Sequence, residues 1–176
     1  MDKKIIAISG THGSSKSTLA YEICTKMKKL GKNVLVLDEL ARKCPFKINQ
    51  TAGDKTGTWL ICKQITEELE LIESCDYVIA DRSLLDAYCY DLTLNASIGY
   101  VDHLVPIIGA HLKKYYYRIY VPHKDTFNYC VDDGVRDLDP RFRSKVFDTI
   151  VRMYNKFGIT HKVVYTPEEV FQDLNI

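Results

Sequence analysis

Residues 10–18 read GTHGSSKST. They follow the apolar run KIIAIS at residues 4–9 and open a stretch of helical period, residues 16–30, with Leu19, Ile23, Met27 and Leu30 on one stripe. No other segment narrows the fold so far. The order strand, glycine-rich turn, Lys-Ser, helix follows G-x-x-x-x-G-K-[ST], in which successive backbone N–H groups turn inward toward phosphate oxygens. The helix N-terminus adds partial positive charge. Gly10, Gly13, Ser14, Ser15, Lys16, Ser17 and Thr18 are therefore the nucleotide-binding candidates. In such a loop Lys16 reaches the β- and γ-phosphates and the Ser17 hydroxyl ligates Mg²⁺.

One position departs from the pattern. Ser15 stands just before the lysine, where glycine is usual, and a side chain there restricts the backbone beside the β-phosphate. The expectation is a helical backbone at Ser15, with its hydroxyl turned away or donating to phosphate. Altered nucleotide affinity is the competing outcome.

The rest of the chain alternates apolar β-rich runs with helical stretches. Further strands are expected at residues 34–37 (VLVL), 77–80 (YVIA), 115–121 (YYYRIYV) and 162–165. Further helices are expected at 58–74, 83–94, 100–112 with a kink or break at Pro106, 140–157 and 167–174. Residues 42–57, with Pro45, Gly53 and Gly57, read as a loop. Asp139 and Pro140 are placed to start the long helix as N-cap and first residue, and Thr166 to cap the last one. The first two strands are continuous hydrophobic runs, which suits strands covered on both faces. The pattern implies an α/β fold, a three-layer α/β/α sandwich with a five-stranded parallel sheet. Without a linker, repeat or low-complexity tract, residues 1–176 read as a single domain.

Composition excludes rather than selects. With 24 Lys+Arg against 23 Asp+Glu, the net charge of +1 argues against a general nucleic-acid coat or a polybasic membrane clamp. No apolar run approaches the ~20 residues that span a bilayer. The N-terminal apolar segment is too short for a signal peptide, so no membrane and a cytoplasmic address are expected. The six cysteines are scattered without metal-ligand spacing and read as reduced, mostly buried thiols.

In an open parallel sheet, ligands gather at the carboxyl ends of the strands. There the second strand runs into Asp38 and Glu39, and the third into Asp81 and Arg82. Asp81 would emerge beside the loop, placed to hold Mg²⁺ or accept a proton, and Arg82 would hold an anionic group. Glu39 is the other candidate base, and which acid takes that role stays open. A single strand-end acid more often caps a helix or pairs with a neighbour; two of them flanking such a loop favour function. Residues 122–143 form a candidate lid, with Gly134 as hinge and Arg136, Arg141 and Arg143 as charges that would close over the phosphates. The aspartates among them could instead neutralise every arginine. Tyr115, Tyr116, Tyr117 and Tyr120 read as sheet core rather than a base-stacking platform.

Assembled, these residues resemble the P-loop NTPases of the nucleoside and nucleotide kinase group. The closer likeness is to the compact family that includes the ribosylnicotinamide kinase domain of bifunctional NAD-biosynthesis regulators. The segments that carry it are GTHGSSKSTLA at 10–20, DELARKCPF at 38–46, VIADRSLLDAYCY at 78–90 and DDGVRDLDPRFR at 132–143. The final YTPEE at 165–169 resembles the loop bracketing adenine in such kinases, which makes Pro167 a cofactor-binding candidate. The resemblance implies an Mg²⁺- and ATP-dependent phosphotransferase with Lys16 and Ser17 at the donor phosphates, Ser17 and Asp81 at the metal, Glu39, Asp81 and Arg82 at the acceptor, and Arg136 in the lid. The acceptor could be a free nucleoside, a deoxynucleoside monophosphate or a base in DNA. DNA would need a basic track through Lys43, Lys47, Lys113, Lys114 and Lys124. A nucleotide-binding switch or regulatory NTPase without a small-molecule acceptor is the alternative, and oligomeric state is not read from the sequence.

Overall fold

The computed structural model describes residues 4–94, 101–125 and 139–176. Five short strands, β1 (Ile5–Ile8), β2 (Val34–Leu37), β3 (Tyr77–Asp81), β4 (Tyr116–Pro122) and β5 (Lys162–Val164), form one parallel sheet in the order β2-β3-β1-β4-β5. The helices are α1 (Lys16–Lys29), α2 (Asp54–Ser74), α3 (Leu84–Leu94), α4 (Val105–Tyr115), α5 (Pro140–Lys156) and α6 (Pro167–Leu174). β1 is central, and all four of its residues are fully buried. Successive side chains of a strand point to opposite faces, so β1 feeds two cores. Ile6 and Ile8 pack with Leu19, Ile23 and Met27 of α1 and Val170 of α6. Ile5 and Ala7 pack with residues of α2, α3, α4 and α5, among them Ile61, Leu85, Ile108 and Ile150. This is the expected three-layer sandwich, and it places the carboxyl ends of β1, β2 and β3 side by side.

Several boundaries differ from expectation for local reasons. α2 starts at Asp54 rather than residue 58 and carries Gly57 inside it. A Cβ at Gly57 would lie 3.3 Å from both Asp91 Oδ1 and Val101 Cγ2. That glycine permits close packing against α3 rather than breaking the chain. Pro106 lies in the first turn of α4, after a 3₁₀ turn at Val101–Leu104, so it starts a helix instead of kinking one. Tyr115 ends α4, while Tyr116 and Tyr120 are buried in the sheet with their hydroxyls on Glu68 (2.6 Å) and Asp173 (2.7 Å). Asp139 accepts from the Arg141 N–H at 2.9 Å, the cap expected at α5. Thr166 makes no side-chain cap; Glu169 reaches back to the Tyr165 N–H at 3.1 Å instead.

Cys24, Cys75 and Cys89 are buried free thiols, but Cys62 is exposed; Cys130 lies outside the described residues. Among the described residues no helix is long and apolar enough to cross a membrane.

Candidate active site

The turn after β1 is anchored from below. Asp86, fully buried in the first turn of α3, accepts from the Ser9 hydroxyl and from the Gly10 N–H at 3.0 Å. Gly10 has φ 150°, and a Cβ there would lie 3.2 Å from Ser14 Oγ, so conformation and space both call for glycine. The Ser14 hydroxyl donates to the Thr11 carbonyl at 2.8 Å, and the Lys16 ammonium donates to the same oxygen at 2.6 Å. Burial first and the Arg82 charge second lower the Lys16 ammonium to about 8. It therefore stays largely protonated at neutral pH, buried inside the loop.

Ser15 corrects the sequence reading. Its backbone is left-handed (φ 53°, ψ 25°), not right-handed helical, and it forms the N-cap of α1. The loop takes positive φ at both Gly13 (68°) and Ser15. Glycine takes that conformation freely and serine does not. Replacing Ser15 by glycine should therefore raise unfolding free energy by up to about 1 kcal/mol and tighten nucleotide binding. Chemical denaturation and titration calorimetry read the two effects, and a less stable Ser15→Gly would mean the left-handed step costs nothing.

Asp81 ends β3 directly beside Ile8 in the parallel register, so its carboxylate rises next to the loop. Its Oδ2 accepts from the Ser17 hydroxyl, while its buried Oδ1 has no hydrogen-bond partner. Burial pushes this carboxyl above the usual range despite the opposing Lys16 charge. A hydroxyl beside a carboxylate with one unsatisfied buried oxygen is a hard-oxygen donor set that fits a divalent cation, and Mg²⁺ characteristically takes few protein ligands beside phosphate and water.

Arg82 follows with φ 105°, a conformation rare outside glycine. Its Nε donates to Glu39 Oε1 at 2.7 Å, its Nη1 to the Gly10 carbonyl at 3.2 Å, and its Nη2 lies 3.3 Å from His12 Nδ1. The strained turn is held from behind. Gln64 donates to the Arg82 carbonyl (3.1 Å) and to Glu68 (2.8 Å), and fully buried Glu68 also pairs with His111 (2.7 Å) and the Tyr116 hydroxyl. For Glu39, burial alone would raise the carboxyl, but Arg82 and Lys16 outweigh it and hold it near about 2. His12 is lowered to about 3, by burial and then by Arg82, so it is a neutral imidazole; its Nε2 lies 3.0 Å from Asn49 Oδ1.

Two cavities adjoin here. Gly13, Ser14, Ser15, Lys16, Ser17, Thr18 and Glu39 line one; Leu37, Leu40, Leu60 and Tyr90 help line the other; His12, Asp81 and Arg82 form a wall of both. The structure thus gathers every predicted loop residue with Glu39, Asp81 and Arg82. Pro167 lines neither cavity and starts α6, after Tyr165, which stacks on His123 at 4.7 Å. Arg136, Gly134 and most of the expected lid lie outside the described residues. Within its described part, Arg143 Nε donates to the His12 carbonyl at 2.8 Å. Lys113 and Lys114 precede β4 and Lys124 follows it, so these lysines stand at opposite ends of a strand about 20 Å long.

A family model described as AAA domain matches residues 5–170. The chain belongs to the AAA-domain family. No curated protein matches it in sequence. Solved structures resemble this AAA-domain chain across its whole length. Thymidylate kinase from Candida albicans superposes with a TM-score of 0.65 at 16% identity, over 98% of this chain and 89% of that one. Deoxyadenosine kinase from M. mycoides with bound dCTP gives 0.65 at 20%, over 97% and 98%. A NadR protein in complex with NAD and AMP-PNP gives 0.71 at 13%, covering 99% of this chain but 50% of NadR. The fold is that of P-loop nucleotide kinases, as the motifs implied.

Proposed function

We propose that the chain is an Mg²⁺- and ATP-dependent phosphotransferase that moves the γ-phosphoryl group to a nucleoside-, nucleotide- or nucleic-acid-borne acceptor. The observation that carries this reading is the shared wall. A phosphate-binding loop and a second, largely apolar cavity meet at Asp81, Arg82 and His12, with Glu39 at the junction. That arrangement would bring donor phosphates and an acceptor group side by side, which is most of what phosphoryl transfer asks of a protein.

The geometry supports the following roles. Loop N–H groups and Lys16 hold the β- and γ-phosphates. Ser17 and Asp81 would hold Mg²⁺, which supplies charge neutralisation at the transferring group. Glu39 is fully ionised at neutral pH and accepts the hydrogen bond of the acceptor hydroxyl, orienting it rather than acting as a strong base. The P–O bond to ADP breaks as the bond to the acceptor oxygen forms, and the acceptor proton passes by way of the Glu39 carboxylate to solvent water. Arg82 sets Glu39. Arg136 and Pro167 stay assigned, from sequence alone, to lid closure and the adenine edge.

A screen of ATP consumption across nucleosides, deoxynucleoside monophosphates and single- and double-stranded DNA tests the reading. One class should raise turnover above basal hydrolysis, and Lys16→Ala should weaken nucleotide binding by at least about tenfold. If no class stimulates turnover, the phosphotransferase reading fails and a nucleotide switch takes its place.

A further inference from the structure

His12 is the third residue of the phosphate loop, and its contacts run to both cavities. The side chain is buried, with its ring edge-on to Tyr90 of α3 at 5.2 Å, and its backbone carbonyl accepts from Arg143 of α5. The two ring nitrogens face different partners: Nδ1 lies 3.3 Å from Arg82 Nη2, and Nε2 lies 3.0 Å from Asn49 Oδ1. An arginine N–H can only donate, so Nδ1 is the bare nitrogen and Nε2 carries the proton. Burial, and then the Arg82 charge, disfavour a second proton on the ring. The imidazole therefore accepts from Arg82 and donates to Asn49 at once.

Asn49 stands on the far side of that junction. With Ile48 and Ala52 it forms part of the second cavity's wall. Its backbone is left-handed, φ 56°, and it opens a single 3₁₀ turn, Asn49–Thr51, closed by the Ala52 N–H on the Asn49 carbonyl at 2.9 Å. So short a turn has little stability of its own, and ties to its surroundings fix its position. The Thr56 hydroxyl on the Lys47 carbonyl at 2.8 Å ties this stretch to α2, and His12 ties it to the phosphate loop. We propose that His12 is a positioning residue that clamps the Asn49 turn to Arg82, so that nucleotide in the phosphate loop firms the wall of the second cavity. Bound phosphates fix the loop backbone from which the clamp starts, and a wall already ordered costs the next ligand less to order. The use of this link between donor and acceptor sites rests on the phosphotransferase reading; the contacts themselves do not.

Two measurements on the full chain test this without turnover. Nitrogen-15 NMR of the imidazoles should show His12 as the Nε2–H tautomer; an Nδ1–H ring or an imidazolium overturns the proposal. Hydrogen exchange at the Ala52 amide should slow by at least about threefold when AMP-PNP and Mg²⁺ are added to saturation. Asn49→Gly keeps the left-handed backbone and deletes the acceptor. His12→Phe keeps a ring beside Tyr90 and deletes both nitrogens. In each of these the nucleotide effect should vanish, whereas Asn49→Asp keeps an oxygen for the Nε2–H and should keep the effect. With both His12→Phe and Asn49→Gly, Ala52 should exchange no faster than in the more affected single variant, because the two side chains act as one unit. An Ala52 amide that nucleotide leaves unmoved in the native chain, or slows equally in every variant, overturns the proposal, as do additive losses. Those outcomes leave the phosphotransferase reading intact; a failed acceptor screen removes that reading and leaves the clamp to stand or fall on these two measurements.

Discussion

Arg82→Gln should lower unfolding free energy by about 3–5 kcal/mol and reduce turnover by about 10²–10³-fold. The size follows from what the guanidinium holds. Its side chain is 12% exposed, and it faces Glu39, 8% exposed, and Asp86, fully buried. Removing one partner of a buried ion pair leaves the other desolvated and uncompensated, which costs far more than the pair was worth. Glutamine also cannot bridge Glu39 to the Gly10 carbonyl, so the second cavity loses its tie to the phosphate loop. Arg82→Lys should recover part of the stability and little of the turnover, because one ammonium cannot span both partners.

The variant carries a pH signature. In the native chain the Glu39 carboxyl is held at about 2, below its ordinary 4.5. A lowered folded value means that the ionised group stabilises the fold above about 4.5, and that this contribution drains away as pH falls toward about 2. In Arg82→Gln burial is no longer opposed by Arg82, and the carboxyl moves up. The destabilisation should be largest at neutral pH and shrink on acidification through that window. Urea denaturation at neutral pH and again near about pH 4 checks it; an equal loss at both would show that Glu39 does not depend on Arg82.

What could be read from the chain follows its local physics. The strands were legible because Ile5–Ile8 and Val34–Leu37 are continuous apolar runs, and their ends fall within a residue or two of expectation. Asp81 and Glu39 were legible because position at a strand's carboxyl end predicts a cleft. Asp86 was not: it reads as an ordinary acid of an amphipathic helix, and only packing puts the Gly10 N–H above it. Glu68 and His111 read as polar faces of α2 and α4, whereas the Arg82 turn draws them into the core through Gln64. Local pattern carries backbone period and strand-end placement. It carries nothing about which polar side chains the layers close over. Ser15 is the intermediate case, since the missing glycine was visible and its left-handed backbone was not.

Asp81→Asn should separate stability from activity. Without nucleotide the variant should be more stable than the native chain by about 1 kcal/mol, yet turn over about 10²–10³-fold more slowly. The native carboxylate is 7% exposed, one oxygen has no partner, and burial raises its pKa. A raised folded value means that the ionised form costs stability above the ordinary carboxylate range, and that this cost disappears as pH falls and the group takes up its proton. Asparagine removes the charge and still offers an oxygen to the Ser17 hydroxyl, so its advantage should be greatest at neutral pH and vanish in acid. Mg-ATP reverses the ranking. A cation that binds the folded state stabilises it by mass action, and the site proposed at Ser17 and Asp81 would lose its carboxylate in the variant. Thermal melts with and without Mg-ATP at neutral pH should therefore cross. A variant that is less stable without nucleotide, and keeps the native Mg-ATP shift, would mean that Asp81 is a structural acid and that the metal is held elsewhere.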